Sequence, residues 1–141
     1  MRDIRRVLVV DDSTTVCRMV EMLLHKCGFE EIEIVQDGKT ALDRLGASPF
    51  EIIICDWEME PMNGLEVLNQ VRRRQETRAI PFILMSAKRD PQWVLEAINA
   101  GANCMITKPF DAATLRAKIA QIGGVGEPAT ERGSPLPLLV R

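Results

Sequence analysis

Residues 50–64, FEIIICDWEMEPMNG, decide the fold of this chain. A short apolar run, Ile52–Cys55, ends abruptly at a carboxylate, Asp56, and a loop containing Pro61 and Gly64 follows. An apolar run of this length, bounded by turn residues, predicts a buried strand. Ligands of an open parallel sheet bind outside the carboxyl ends of its strands, so Asp56 is a candidate binding residue. Taken alone, an aspartate after a strand also fits a cap or a turn.

Apolar segments of this kind recur along the chain and alternate with stretches of helical spacing. They predict five strands, at residues 5–10, 31–35, about 51–55, 81–85 and 103–107. Ser13, Asp90 and Asp111 are the expected caps of intervening helices, and Gly28 and Gly101 are expected helix ends.

Two further local expectations can be tested against a structure. Asp37–Gly38 is expected to form a turn before the second helix. In the fourth helix, the apolar residues Val94, Leu95 and Ile98 are expected to form the buried face.

Five alternations of strand and helix predict an α/β fold in which helices cover both faces of a five-stranded, doubly wound parallel sheet. Acidic and apolar residues alternate over 31–35, which predicts a strand at the edge of the sheet. Residues 1–122 contain all of these segments. Residues 123–141 carry three prolines and no periodicity, and we expect them to form a flexible tail.

Composition excludes several classes of protein. The chain has 141 residues and a formal net charge of −2, which does not favour nucleic-acid binding. No apolar stretch approaches the roughly 18–20 residues of a membrane span, and no signal peptide is recognisable, so we expect a cytoplasmic protein. The four cysteines form no C-x-x-C pair, which argues against a zinc site.

The candidate binding and catalytic residues stand at the ends of the predicted strands. Strand one is followed by Asp11 and Asp12, strand three by Asp56, strand four by Ser86 and strand five by Lys108. In a parallel sheet these ends meet at one edge, so three carboxylates, a hydroxyl and an ammonium are expected to converge. Crowded carboxylates require a cation, and hard oxygen ligands with open positions suit Mg²⁺.

A divalent cation beside a free carboxylate and a lysine suits phosphoryl transfer, because both cations neutralise charge on the phosphoryl oxygens. Asp56 can attack phosphorus and hold it as an acyl phosphate. Ser86 can donate a hydrogen bond to the new phosphoryl group.

In combination, these residues resemble a known family. The motifs are Val10-Asp11-Asp12-Ser13, Cys55-Asp56-Trp57, Met85-Ser86-Ala87 and Thr107-Lys108-Pro109-Phe110. Over residues 5–122 the chain resembles the receiver domain of two-component response regulators, in its stand-alone, CheY-like form. The resemblance implies a (βα)₅ flavodoxin-like fold with strand order 2-1-3-4-5.

The resemblance also implies roles for the site residues. Asp56 would accept phosphate from a histidine kinase, a phosphotransfer protein or a small phosphodonor. Asp11, Asp12, Asp56 and the backbone carbonyl of Glu58 would hold Mg²⁺, while Ser86 and Lys108 would contact the phosphoryl group. The bond before Pro109 would be cis.

The resemblance further implies an output surface, formed by the fourth helix, fifth strand and fifth helix, that binds a downstream protein. The chain itself would be a monomer or a weak dimer, and would catalyse only its own phosphorylation and dephosphorylation.

Three positions depart from the family pattern. Met105 stands where an aromatic switch residue is usual, and we expect it to be a passive follower of the switch. Glu58 and Lys88 flank the expected site; we expect them to pair across it and to slow the loss of phosphate. Pro61 lies one place later than the proline usual in this loop, with Glu60 in its stead.

Other classes of protein share parts of this pattern. A haloacid-dehalogenase-type hydrolase also forms an aspartyl phosphate, but has a second aspartate where this chain has Glu58. A flavodoxin-like electron carrier would need phosphate-binding donors where this chain has Asp11 and Asp12. A binding module that acts without phosphorylation also remains open.

Overall fold

The computed structural model describes residues 6–122, so the predicted tail lies outside the described residues. The strands are β1 (Arg6–Val10), β2 (Glu31–Val35), β3 (Ile52–Asp56), β4 (Phe82–Ser86) and β5 (Cys104–Thr107). The helices are α1 (Thr14–Lys26), α2 (Gly38–Ala47), α3 (Gly64–Arg73), α4 (Pro91–Ala100) and α5 (Ala112–Ile122).

The five strands form one parallel sheet with the order β2-β1-β3-β4-β5, which confirms the predicted fold. The alternating strand β2 lies at an edge, as expected. Successive residues of β1 point to opposite faces: Leu8 and Val10 pack in one hydrophobic cluster, and Val7 and Val9 in the other. The two clusters lie under the helices on the two faces. No helix among residues 6–122 has the length and apolar character needed to cross a membrane.

Side-chain caps fix the helix starts. The predicted caps Ser13, Asp90 and Asp111 each accept a hydrogen bond from a backbone N–H in the first turn of their helix. Asp37 does the same for Thr40, so it caps α2 and the prediction of a turn there was wrong. A cap and a turn are hard to tell apart in sequence, because both use Asp before Gly.

The predicted buried face of α4 was also wrong. Val94 is 37% exposed and Leu95 57% exposed, whereas Ala97 is fully buried and Trp93 packs against the core. Most residues of α4 are apolar, so the sequence pattern offers more than one possible inner face. The observed face follows the small Ala97, which lets the helix approach the sheet, and the large Trp93 one turn earlier.

Gly64 sets how closely α3 approaches the end of β3. A Cβ at this position would lie 2.3 Å from the carbonyl oxygen of Asp56 and 2.9 Å from Cα of Trp57. Only glycine permits this approach. The amide of Gly64 donates to the carbonyl of Trp57 at 2.9 Å, which holds the loop against the strand end that carries Asp56.

Candidate functional site

Backbone hydrogen bonds continue the sheet beyond the strand ends and keep those ends level. Trp57 N donates to Met85 O at 2.8 Å, and Lys108 N donates to Ser86 O at 2.9 Å. Asp11 N donates to Val35 O at 3.2 Å. The polar residues at or directly after the ends of β1, β3, β4 and β5 therefore occupy one edge of the sheet, as the sequence predicts.

Three carboxylates converge at this edge. One oxygen from each of Asp11, Asp12 and Asp56 can be chosen so that all three lie within 4.8 Å of one another. Asp11 and Asp56 are buried and Asp12 is exposed. Lys108 reaches into the cluster: its Nζ lies 2.9 Å from Asp56 Oδ1 and 3.5 Å from Asp11 Oδ2.

Burial and crowding change the pKa values of these groups. Burial, together with repulsion by Asp11, raises the pKa of Asp56 to about 6, although Lys108 opposes the shift. Burial likewise raises the pKa of Asp11, against the hydrogen bond from Ser13 N. Burial alone would lower the pKa of Lys108, but its contacts with Asp56 and Asp11 outweigh burial and raise it.

The cluster suits a small divalent cation. Asp11 Oδ2 and Asp56 Oδ1 are buried, accept no well-aligned hydrogen bond from the described residues and face only the Lys108 ammonium. A single ammonium does not balance three carboxylates. Carboxylate oxygens with access to water through the exposed Asp12 are the donor set that Mg²⁺ prefers. Coordination by the backbone carbonyl of Glu58 stays a prediction.

Ser86 ends β4, directly after Met85, which pairs with Asp56 of β3, and it is fully buried. Its hydroxyl donates to Glu58 Oε2 at 3.1 Å and accepts from Lys88 N at 3.0 Å. The expected pairing of Glu58 with Lys88 was wrong. The Glu58 carboxylate accepts from the Ser86 hydroxyl, and the Lys88 ammonium instead lies 5.0 Å from the ring centroid of Trp93.

The remaining predicted residues lie around this centre. The peptide bond between Lys108 and Pro109 is cis, as the resemblance implies. The bond between Glu60 and Pro61 is also cis, which the sequence did not predict. Met105 is partly buried and packs against the same core cluster as Ala97, with no polar contact to the site.

The stacking of two tryptophans beside the site was not predicted from the sequence. Trp57, next to Asp56, stacks on Trp93 of α4 with ring centroids 4.2 Å apart and an angle of 28° between the planes. The pair borders a groove of about 540 Å³ that is also lined by Asp12 and Glu58. Both tryptophans were visible in the sequence, but no periodicity connects residues 36 positions apart on different elements.

Comparison with known proteins points to one family. The family model described as "Response regulator receiver domain" matches residues 7–120. Chemotaxis protein CheY-3 of Vibrio cholerae is 37% identical over 117 residues, which cover 83% of this chain and 90% of that protein. Chemotaxis protein CheY of Pseudomonas aeruginosa is 34% identical over 117 residues, which cover 83% of this chain and 94% of that protein.

Solved structures agree with the sequence matches. Chemotaxis protein CheY4 of Vibrio cholerae superposes with a TM-score of 0.80 at 30% identity, covering 85% of this chain and 99% of that one. The signal receiver domain of a signal transduction histidine kinase from Syntrophus aciditrophicus superposes with a TM-score of 0.77 at 26% identity, covering 92% and 95%.

Proposed function

This chain belongs to the response regulator receiver domain family, and we propose that it accepts a phosphoryl group on Asp56 and reports that event to a protein partner. Receiver domains of the CheY type are regulatory domains of two-component signalling. The observation that supports phosphorylation most directly is the convergence of Asp11, Asp12, Asp56 and Lys108 at the carboxyl edge of the sheet.

The contacts suggest a role for each side chain. An Asp56 oxygen forms the new O–P bond while the P–N bond of a phosphohistidine donor breaks, and the departing imidazole nitrogen keeps the electron pair and takes up a proton. Lys108, 2.9 Å from Asp56, then neutralises charge on the phosphoryl oxygens. The Ser86 hydroxyl donates a hydrogen bond to one of those oxygens.

Asp11, Asp12 and Asp56 would hold Mg²⁺, which when bound neutralises the carboxylates and the incoming phosphoryl charge. Without such a cation, an anionic donor would meet three carboxylates and a single ammonium. We therefore expect phosphorylation to depend on a divalent cation.

The output is proposed to run through the surface of α4, β5 and α5, where a protein target docks. α4 supports this proposal because it presents Val94 and Leu95 to solvent, at 37% and 57% exposure. We propose that the phosphodonor is a histidine kinase or a phosphotransfer protein and that the chain acts in the cytoplasm. Because two relatives are named chemotaxis proteins, a chemotaxis complex is the output to test first.

The experiment is incubation with a small phosphodonor and Mg²⁺, followed by a phosphate-affinity gel. The wild-type chain should show a retarded band, and Asp56→Asn should not. The matched control is Asp43→Asn, which removes an exposed acid of α2 and should be retarded like the wild type. A chelator should abolish the retarded band. An unretarded wild-type chain, tested with both a small donor and a kinase, would favour a binding module that acts without phosphorylation.

A further inference from the structure

A closed ring of contacts lies beside the proposed phosphorylation site. Glu58 Oε2 accepts from the Ser86 hydroxyl at 3.1 Å, and that hydroxyl accepts from Lys88 N at 3.0 Å. The Lys88 ammonium lies 5.0 Å from the Trp93 ring centroid, and Trp93 stacks on Trp57 at 4.2 Å. The peptide bond from Trp57 to Glu58 closes the ring. It joins the β3–α3 loop, the β4–α4 loop and the first turn of α4.

A phosphoryl group on Asp56 and the Glu58 carboxylate compete for the one hydrogen bond that the Ser86 hydroxyl can donate. A serine hydroxyl has one hydrogen to donate, and Ser86 donates it to Glu58. If a phosphoryl group on Asp56 accepts the hydrogen bond from Ser86, the hydrogen bond from Ser86 to Glu58 is broken. The Glu58 carboxylate and the phosphoryl oxygens are both anionic. Their repulsion also favours movement of the carboxylate away from Ser86.

The first turn of α4 is where such a change has most effect, because α4 has few other anchors. Within α4 only Ala97 is fully buried, whereas α3 buries Val67, Leu68 and Val71 as well as its first glycine. Trp93 is the largest side chain through which α4 contacts the core, and its partner in the stack follows Asp56 directly in sequence.

We propose that the stack of Trp93 on Trp57 carries the state of the phosphorylation site to α4. Occupancy of the site removes the bond between Ser86 and Glu58, the ring opens, and Trp93 shifts relative to Trp57 together with the exposed surface of α4. Trp93 thereby serves as a positioning residue that acts on α4 through its contact with Trp57. This proposal rests on the proposed function, since it requires an occupant that binds the Ser86 hydroxyl.

The chain is well suited to a direct test because it contains only two tryptophans, and therefore two indole N–H resonances. These are assigned in ¹⁵N-labelled protein with Trp57→Phe and Trp93→Phe. Beryllofluoride with Mg²⁺ serves as the phosphoryl mimic, and its binding is followed independently by ¹⁹F resonance. The Trp93 resonance should shift as beryllofluoride binds to the wild type, and should not shift in Asp56→Asn.

A variant that opens the ring without any ligand sharpens the test. In Glu58→Ala the Trp93 resonance should move, before any addition, toward its position in the beryllofluoride-bound wild type. The matched control is Glu60→Ala, which removes an exposed acid from the same loop and should leave the resonance in place.

The outcomes separate this inference from the proposed function. Bound beryllofluoride with an unmoved Trp93 resonance would overturn the inference and leave the proposed function standing. An equal displacement of the Trp93 resonance in Glu58→Ala and Glu60→Ala would also overturn it, since loss of charge alone would then explain the shift. Absence of bound beryllofluoride in the wild type would overturn both proposals.

Discussion

The two ends of the sheet differ in how their charged groups are surrounded. At the carboxyl end, Asp11 and Asp56 are buried close together with one ammonium between them. At the amino end, the guanidinium of Arg72 is surrounded by neutral acceptors. It donates to the backbone oxygens of Gly101, Arg78 and Ile80 and to the side chain of Asn103, at distances of 2.7–3.1 Å.

This difference shows that the amino end of the sheet contributes to stability, whereas the carboxyl end carries the proposed site at a cost in stability. Arg72 links the end of α3 to the segments that precede β4 and β5, and Asn103 Oδ1 also accepts from Phe82 N at 2.8 Å. The N–H groups of Arg72 donate to backbone oxygens that would otherwise lose their hydrogen-bond donor. At the other end, buried carboxylates repel one another, which costs stability but leaves a site with a strong demand for a cation. The predictions that follow test this contrast, from the largest expected effect to the smallest.

The largest effect is expected at the amino end. Arg72→Met should lower the free energy of unfolding by about 2–4 kcal/mol, because several partly buried carbonyl oxygens lose their donor. Urea unfolding of the purified variant measures this change. Arg73→Met, which removes an exposed arginine one residue later, is the matched control and should change stability by no more than ~0.5 kcal/mol. Equal losses in the two variants would remove the contrast.

At the carboxyl end, removal of a charge should stabilise the protein. The pKa of Asp56 is raised to about 6 in the folded state, from 3.8. The folded state therefore holds this proton more tightly, and stability falls as the pH rises from about 4 to 6. Above pH 6 and without divalent cations, Asp56→Asn should be more stable than the wild type by about 1–3 kcal/mol.

The pH dependence gives the check on that prediction. The advantage of Asp56→Asn should shrink toward zero as the pH falls to about 3, where the wild-type carboxyl is largely protonated in both the folded and the unfolded state. Mg²⁺ at pH 7.5 should also reduce it, because the cation stabilises the wild-type carboxylate. Urea unfolding at the two pH values, with and without Mg²⁺, provides the four comparisons. A less stable Asp56→Asn at pH 7.5 in chelator would contradict the account.

A smaller effect is expected on kinetics. Glu58 does not pair with Lys88, but it lines the groove beside Asp12 and Trp57, and we still expect its carboxylate to slow the loss of phosphate by limiting the approach of water. Glu58→Asn should shorten the lifetime of the phosphorylated protein roughly two- to fivefold, which corresponds to about 0.5–1 kcal/mol in the barrier. Decay of the retarded band after removal of the phosphodonor measures the lifetime. An unchanged lifetime would argue against kinetic tuning by Glu58.

The smallest effect should come from a partly exposed ion pair away from both ends of the sheet. Glu33 of β2 pairs with Arg44 of α2 and with Arg6 of β1. The hydrogen bond from Arg44 lowers the pKa of Glu33, so the stabilisation is present above pH ~4.5 and is lost as the pH falls through the lower folded value. Glu33→Gln should cost less than ~1 kcal/mol, and less still in high salt. A loss of unfolding free energy as large as that of Arg72→Met would show that surface ion pairs stabilise the protein as much as the partly buried Arg72 network does, which would contradict the comparison.

The sequence predicted the carboxyl end of the sheet better than the amino end. Residues that follow parallel strands must meet at one edge, so Asp11, Asp12, Asp56, Ser86 and Lys108 could be placed together from strand positions alone. Arg72 is the first of three consecutive arginines, and that local pattern indicates only a charged stretch at the end of a helix. Its role depends on carbonyl oxygens that are distant in sequence, which no local pattern encodes.

Long-range packing also explains the errors around α4. The apolar residues of α4 allow several buried faces, and the choice was made by Trp93 meeting Trp57 across two elements. The expected pairing of Glu58 with Lys88 failed for a similar reason. Opposite charges near one another in a predicted site suggest a pair, but the Ser86 hydroxyl and the Trp93 ring offered each charge a better placed partner.

The most direct test of the central claim locates the phosphoryl group. The wild-type chain is incubated with a small phosphodonor and Mg²⁺, reduced with borohydride to convert an aspartyl phosphate to homoserine, digested and analysed by peptide mass spectrometry. Conversion should occur at Asp56 and depend on the divalent cation. Conversion at Asp11 or Asp12 in place of Asp56, or an equal yield in chelator, would contradict the account.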